Sequence, residues 1–353
     1  MIYITTQTFP PAVGGMENVM FSLAEGLAAR GEDVTVLPKL AVEQNNGFAV
    51  HHKKLPKPLR NIYKRIYLAR HLSPDDFIIC DSWKSVAAIP KYYIGKLVVM
   101  AYGQEYLKTG KRAKRVQAAL NRATHIIPCS QYTMKMIEAG WSVAHAARTV
   151  IPPTYMLPNN APDFKLRKNK PLKVVSLCRL EERKGLRQSL EALATLGDQV
   201  PEWTWTLCGS GPQADELALM IVQLGLEGRV IMPGRVDEDA KAELLAEADL
   251  FLMPSYQQGK SLEGYGITYA EAARYGTPAI AGIAGGAPEA VINGKTGWCV
   301  NTLDAFALQT TIRDALTDAN KRHVFGEAAR NHFLKNLTGK RCLEAFFAHI
   351  GVS

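Results

Sequence analysis

The feature that most limits the fold of this chain is an alternation that occurs twice. In the first half, short apolar runs read MIYIT, DVTVL, FIIC, KLVVMA, HIIPC and RTVI; in the second, LKVVSLC, WTWTLCG, RVIMPG, DLFLMPS, PAIAG and GWCV. Stretches such as ENVMFSLAEGLAARG, KGLRQSLEALATLG and DAKAELLAEA fall between them, with apolar residues every three or four positions. Strand and helix trading places in this way builds parallel, doubly wound sheets. The pattern lapses once, at 152–171 (PPTYMLPNNAPDFKLRKNKP), where five prolines fall and periodicity is lost. The expected architecture is therefore α/β, with a first domain over 1–151, a linker over 152–171 and a second domain over 172–334. From about residue 303 the chain reads as consecutive helices, the last of which (335–353) is expected to pack back on the first domain. At 353 residues the chain exceeds what one core usually fills, which fits two domains.

Charge divides along the same line. Residues 1–170 hold 24 Lys/Arg and 11 Asp/Glu, a balance of +13; residues 171–353 hold 18 and 22, a balance of −4. The excess gathers in KKLPKPLRNIYKR (53–65) and KTGKRAKR (108–115). A solvated surface explains this as well as an acidic partner does: anionic lipid, a phosphorylated acceptor or nucleic acid. RNIYKRIYLARHL alternates basic and apolar residues at helical spacing, which suits a helix on a membrane surface or one packed into its own domain. Nucleic acid is the poorest match, because the basic stretches lack interleaved aromatics for stacking bases. No apolar run is long enough to span a bilayer, and the N-terminus reads as a strand without the basic flank of a signal peptide. Cys80, Cys129, Cys178, Cys208, Cys299 and Cys342 lie far apart with no CxxC pair. Reduced thiols and a cytoplasmic protein are expected, with peripheral contact at the inner membrane left open. The eight histidines are scattered and no His/Asp/Glu set has metal-ligand spacing, so no metal and no cofactor are expected.

Ligands in open parallel sheets bind where strands run into helices, so each such turn is a candidate. After the first strand, TFPPAVGGMEN places Gly14 and Gly15 before a helix opening at Met16 or Glu17, a geometry that brings backbone N–H groups to a phosphate or simply makes a tight turn. It is neither a Walker motif nor GxGxxG. After the first strand of the second half, CRLEERKG sets Arg179 and Lys184 around a loop, two cations able to clamp a diphosphate. CGSGP carries a glycine turn at Gly209, and MPGRVDED carries another beside Arg235 and Val236.

EGYGITYAEA, from Glu263 to Ala272, places two carboxylates eight residues apart. On a continuous helix they would lie about 80° apart around the axis. Gly264 and Gly266 disfavour that helix, so the better reading is a loop holding Glu263 and a helix from near Ile267, with Glu271 one turn inside. Free amides and the positive helix end at Gly266, Ile267 and Thr268 then favour an anion beside the two acids.

Taken together, CRLEERKG, CGSGP, VIMPGRV, ADLFLMPS, EGYGITYAEAARYGTPAIA, GGAPEAV and NGKTGWCV resemble, in order and spacing, the family 4 retaining glycosyltransferases. PPAVGGMEN and AEGLAARGEDVTVL extend the likeness to the start of the chain, and Glu263 and Glu271 match the family's E-x7-E motif. The resemblance implies the GT-B fold, two Rossmann-like domains facing across a cleft, with a nucleotide-sugar donor held mainly by the second. By that likeness Glu271 accepts hydrogen bonds from the ribose and Glu263 from the donor sugar. Arg179 and Lys184 stabilise the leaving diphosphate, and Gly14, Gly15, Gly209, Arg235, Val236, Gly266, Ile267 and Thr268 line the donor. Many relatives carry His-Gly-x-Glu/Asp after the strand matching KLVVMA, the histidine approaching the donor sugar; here YGQE puts Tyr102 at that catalytic position, with Gly103 and Glu105 fitting, so that Tyr102 takes over a positional task, the donor sugar differs, or catalysis is weaker. Glu105 and Glu17 are expected on the acceptor side.

The implied reaction moves a hexose with retention, without metal, to a glycan, lipid-linked or phosphorylated acceptor. A nucleotide-sugar epimerase or hydrolase on the same fold, and a non-catalytic glycan- or lipid-binding relative, stay open as alternatives.

Overall fold

The computed structural model describes residues 1–351 except 8, 12–13, 41–46, 165–166 and 168–169, so parts of the expected linker lie outside the described residues. The chain divides into two compact units, Met1–Leu157 with Gly339–Ser353, and Pro158–Thr338.

In the first unit, β1 (Ile2–Thr5), β2 (Val34–Leu37), β3 (Ala49–Val50), β4 (Phe77–Cys80), β5 (Lys96–Ala101), β6 (His125–Pro128) and β7 (Ala147–Arg148) form one parallel sheet ordered β3-β2-β1-β4-β5-β6-β7. Its helices are α1 (Gly15–Ala29), α2 (Lys57–His71), α3 (Gly110–Leu120) and α4 (Gln131–Gly140). β1 pairs with β2 on one side and β4 on the other, Ile4 facing Val36 and Ile79. The central strands are buried on both faces, as parallel sheets are, which is why they read as unbroken apolar runs. The expected strand over RTVI shrinks to Ala147–Arg148 at the sheet edge. Pairing continues only loosely from Thr149 N to Ile126 O (3.4 Å) and Ile151 N to Pro128 O (3.0 Å), before Pro152 and Pro153 remove the next donors.

The second unit has β8 (Leu172–Leu177), β9 (Trp203–Cys208), β10 (Val230–Gly234), β11 (Leu250–Met253), β12 (Ala279–Gly282) and β13 (Gly297–Val300), ordered β10-β9-β8-β11-β12-β13 and all parallel. Between and after them run α5 (Leu186–Leu196), α6 (Ala214–Gln223), α7 (Glu238–Glu247), α8 (Ile267–Arg274), α9 (Ala287–Ala290), α10 (Ala305–Thr317) and α11 (Ala319–Asn336). Trp203 and Trp205 fill its core; Trp205 Nε1 donates to Ser176 Oγ at 2.9 Å, which satisfies the indole inside the sheet layer. The final helix, α12 (Gly339–Ile350), belongs to the first unit, where Phe346 meets Tyr155 and His349 meets Thr149 Oγ1 at 2.7 Å.

Both sheets have a point where chain order reverses, between β1 and β4 and between β8 and β11. In open parallel sheets the loops leaving the two strands at such a point diverge, and ligands bind there at the carboxyl edge. The residues singled out above lie at these edges or one turn into the helices that follow.

Candidate active site

In the second unit the turn after β8 is a short 3-10 segment, Glu182–Lys184, closed by Gly185 at φ 73°. A side chain at Gly185 would run into the Pro254 carbonyl, so only glycine lets this turn lie against the end of β11. The turn carries Arg183 and Lys184 inward, where both are buried. They converge on one carboxylate oxygen: Glu263 Oε2 accepts from Lys184 Nζ at 2.5 Å and from Arg183 Nη1 at 2.9 Å. Burial pushes the Glu263 carboxyl up, but Lys184 and then Arg183 outweigh it and hold the group down at about 2. Arg183 Nε also lies 3.2 Å from Glu181 Oε2, though off the line of a hydrogen bond. Glu181 in turn meets Arg179 Nε at 3.1 Å. Arg179 keeps 69% of its side chain exposed.

The loop from β11 ends at Gly266, whose φ of 89° turns the chain into α8. Its N-cap, Gly266, has no side chain to accept a hydrogen bond, so the amides of Ile267 and Thr268 at its start have no side-chain acceptor from the N-cap. Gly286 N donates to the Glu263 carbonyl at 2.9 Å, which ties the loop before α8 to the loop after β12. One turn into α8, Glu271 Oε1 accepts from Lys241 Nζ of α7 at 2.7 Å, and the same ammonium meets Glu238 at 2.6 Å. Gly209 N donates to the Gly234 carbonyl at 2.7 Å, and a Cβ at Gly209 would collide with the Cys178 carbonyl. Arg235 is exposed, its Nε 2.9 Å from Ser210 Oγ, and Val236 is half-buried beside it.

In the first unit α1 opens at Gly15, one residue earlier than the sequence predicts, and Gly14 before it is extended at φ 167°. The Glu17 carboxylate folds back over Gly14. Asp81, just past β4, accepts from Gln7 N at 2.6 Å, Thr6 Oγ1 at 3.0 Å and Ser85 Oγ at 2.5 Å. The buried Lys64 of α2 donates to the Thr6 carbonyl at 2.9 Å. After β5, Gly103 at φ 112° lets the chain reverse so that Glu105 Oε1 accepts from Tyr102 N at 2.6 Å. Burial lifts the Tyr102 phenol well above its usual range, so it keeps its proton, and among the described residues its oxygen meets only Met20 Sδ at 3.9 Å. Burial likewise raises Glu105, against the Tyr102 amide and the charges of Lys84 and Lys108.

The structure thus brings Lys184, Glu263 and the start of α8 together in one unit, with Arg179 linked to them through Glu181 and Arg183. Glu271 stands one turn further in. Gly14, Gly15, Glu17, Tyr102 and Glu105 belong to the other unit. Two residues absent from the sequence reading sit at the centre: Arg183 and Lys241. The adjacent Arg-Lys pair in EERKG was a signal for the first; nothing in DEDAKAELL marks Lys241, whose partner is thirty residues away. Among the described residues no group of three or more His, Cys, Asp or Glu is placed to hold a metal ion, and no helix is long and apolar enough to cross a membrane.

Known proteins share this organisation. The family sequence model for group 1 glycosyl transferases matches residues 159–332, and that for glycosyltransferase family 4 matches residues 13–155. A GDP-mannose-dependent alpha-(1-6)-phosphatidylinositol monomannoside mannosyltransferase of Mycolicibacterium smegmatis is 29% identical, with 94% of each chain covered. Among solved structures, a sucrose-phosphate synthase from Thermosynechococcus elongatus superposes with a TM-score of 0.80 at 20% identity, covering 99% of this chain and 98% of the other. Anabaena HepE, solved with UDP and glucose, superposes with a TM-score of 0.77 at 21% identity over all of both chains. Two Rossmann-like units, each matched by its own half of one enzyme family, place the chain among the family 4 glycosyltransferases of the GT-B fold, which use nucleotide sugars.

Proposed function

We propose that this enzyme transfers a hexose from a nucleoside-diphosphate sugar, with retention at the anomeric carbon and without a metal ion, to a glycan or lipid-linked acceptor at an anionic membrane surface. The observation that carries the reading is a charge balance. Arg179, Arg183 and Lys184 outnumber Glu181 and Glu263 by one positive charge, in a connected set lying just before the uncapped start of α8. A diphosphate seated there meets cations on one side and the Ile267 and Thr268 amides on the other. As the bond from the anomeric carbon to the phosphate oxygen breaks, negative charge grows on that oxygen, and fixed donors stabilise it without reorganising. The acceptor oxygen bonds to the same face of the sugar, and its proton passes to the departing phosphate. Glu263 is held as an anion by Arg183 and Lys184, so it accepts from donor-sugar hydroxyls rather than giving up a proton; Glu271 accepts from the ribose.

The membrane part of the reading rests on α2 and α3. On α2, Leu59, Ile62 and Ile66 are 46, 50 and 47% exposed along one face, whereas Lys64 (3%) is buried. Arg65 and Arg70 border that outward apolar stripe, and Lys111, Arg112, Lys114 and Arg115 are all exposed on α3. An apolar face edged with cations suits the boundary of an anionic bilayer.

The mannosyltransferase relative makes GDP-mannose the first donor to test, and the HepE likeness adds UDP-glucose. Release of nucleoside diphosphate from a panel including both, with acceptor glycolipid, is expected for at least one; none from any member would overturn the reading. Flotation with anionic but not neutral liposomes, weakening as salt rises, is the expected result for the membrane part.

A further inference from the structure

Lys241 has no part in the reading above, yet it is the residue that holds Glu271. Its ammonium lies between Glu271 Oε1 on α8 (2.7 Å) and Glu238 Oε2 on its own helix α7 (2.6 Å). Lys241 and Glu271 are largely buried, at 22% and 14% side-chain exposure, while Glu238 stands in solvent at 79%. The partners differ accordingly. The Glu238 pair is an exposed i,i+3 contact of little consequence, and the Glu271 pair is a shielded bridge between two helices.

We propose that Lys241 is a positioning residue for nucleotide recognition: by holding Glu271 Oε1, it fixes the carboxylate so that Oε2 is presented to the ribose hydroxyls of the donor. This deepens the reading of Glu271 as the ribose acceptor and rests on it. A glutamate has three rotatable bonds, and a carboxylate free to turn would pay to be ordered each time a nucleotide binds. Lys241 meets that cost in advance. It also removes one of the two oxygens from competition, so a ribose diol finds a single geometry. The selectivity that follows is for ribose against deoxyribose, because a site built to accept a hydroxyl proton is left unpaired when the hydroxyl is missing.

The test is binding of GDP and UDP, and of the 2′-deoxy and 3′-deoxy forms of whichever binds better, to the wild-type protein and to Lys241→Met, Lys241→Arg and Glu271→Gln. Wild type is expected to prefer the ribonucleotide by about tenfold or more over at least one deoxy form. Lys241→Met is expected to lose most of that preference while changing affinity for that deoxy form less than twofold, and Lys241→Arg to recover much of it. A role in folding alone would weaken ribo and deoxy forms alike. Equal weakening by Lys241→Met, or a preference it leaves intact while Glu271→Gln abolishes it, overturns the role of Lys241 alone. A preference that survives Glu271→Gln overturns the ribose assignment of Glu271, and this inference with it.

Discussion

Lys184 Nζ stands 2.5 Å from Glu263 Oε2, on the same oxygen that Arg183 reaches from 2.9 Å, and all three side chains are largely buried. With Glu181 answering Arg183 from 3.2 Å, the buried charges balance, and the surplus positive charge of the set falls on exposed Arg179, where an incoming anion can meet it. The arrangement therefore joins two properties usually measured separately: the stability of the second unit and its affinity for a diphosphate.

Glu263→Gln is expected to destabilise the protein at neutral pH by about 3–5 kcal/mol, since it takes the counter-charge from buried Lys184 and leaves Arg183 with Glu181 alone. The pH dependence has a fixed sign. With its folded-state pKa held down at about 2, the Glu263 carboxylate contributes stability that is fully present above its unfolded value near 4.3. That contribution is lost as pH falls from about 5 towards 2. Chemical denaturation across this range should show the gap between wild type and Glu263→Gln narrowing with acid; a gap independent of pH would show that the pair does not form. Saturating nucleoside diphosphate should shrink the gap at pH 7, because bound diphosphate replaces part of the missing charge.

Arg179 and Arg183 are predicted to separate catalysis from stability. Arg179 is mostly exposed and pairs with Glu181 at the surface, where such contacts contribute roughly 0–1 kcal/mol. Arg179→Ala should leave the unfolding midpoint nearly unchanged while lowering transfer about 10²–10³-fold, the usual cost of one donor to a developing oxyanion. Arg183→Ala should lower both, because the arginine it removes is buried on Glu263. Thermal unfolding beside turnover on each variant checks this; equal loss of stability in the two would refute the division of roles.

What the sequence conveyed and what it withheld follow from how far each signal reaches. Central strands such as Leu250–Met253 are buried on both faces and so appear as solid apolar runs, legible without any partner. The two-residue edge strand Ala49–Val50 has no such run and carries no comparable signal. The loop-then-helix reading of EGYGITYAEA rested on local glycine chemistry, and Gly266 at φ 89° with α8 starting at Ile267 bears it out. Partner choice is different, because it depends on strand order. Lys184 meets Glu263 only because β11 lies beside β8, and Lys241 meets Glu271 only because α7 and α8 pack as neighbours. The same limit applies to α2: its period showed an amphipathic helix, but not that Lys64 would face inward and Leu59, Ile62 and Ile66 outward.

Tyr102 stands where the resemblance to family 4 enzymes implies a histidine, and among the described residues its hydroxyl meets a thioether alone. A thioether at 3.9 Å is a weak acceptor, so Tyr102→Phe should change stability by less than about 0.5 kcal/mol. Any loss in transfer would then report a hydrogen bond made to substrate rather than to protein. The expected pattern is a several-fold fall in kcat/KM with the unfolding midpoint unchanged. Tyr102→His is expected to stay active, with donor preference altered. Neutral kinetics for Tyr102→Phe across the donor panel would remove Tyr102 from the site.

Lys64 offers a test of the first unit that does not involve substrate. Burial is the largest influence on its ammonium and brings the pKa down to about 8, against the pull of Asp81 nearby. A lysine whose folded pKa lies below its unfolded value of about 10.4 binds fewer protons folded than unfolded between those limits. Stability attributable to it must therefore rise as pH climbs from about 8 to 10.4, by an amount on the order of 3 kcal/mol if the shift is complete. Cysteines raised by burial act within this window, and tyrosines from its upper end onward, in the opposite sense, so the quantity to measure is the difference between wild type and Lys64→Met. Below pH 8 the methionine variant gains by removing a buried charge and loses the hydrogen bond to the Thr6 carbonyl. Between pH 8 and 10.4 the wild type should improve relative to it, steadily and with a slope approaching one proton. A flat difference across that range would mean that Lys64 stays charged and that its ammonium is better solvated, or better paired with Asp81, than its place on the buried face of α2 implies.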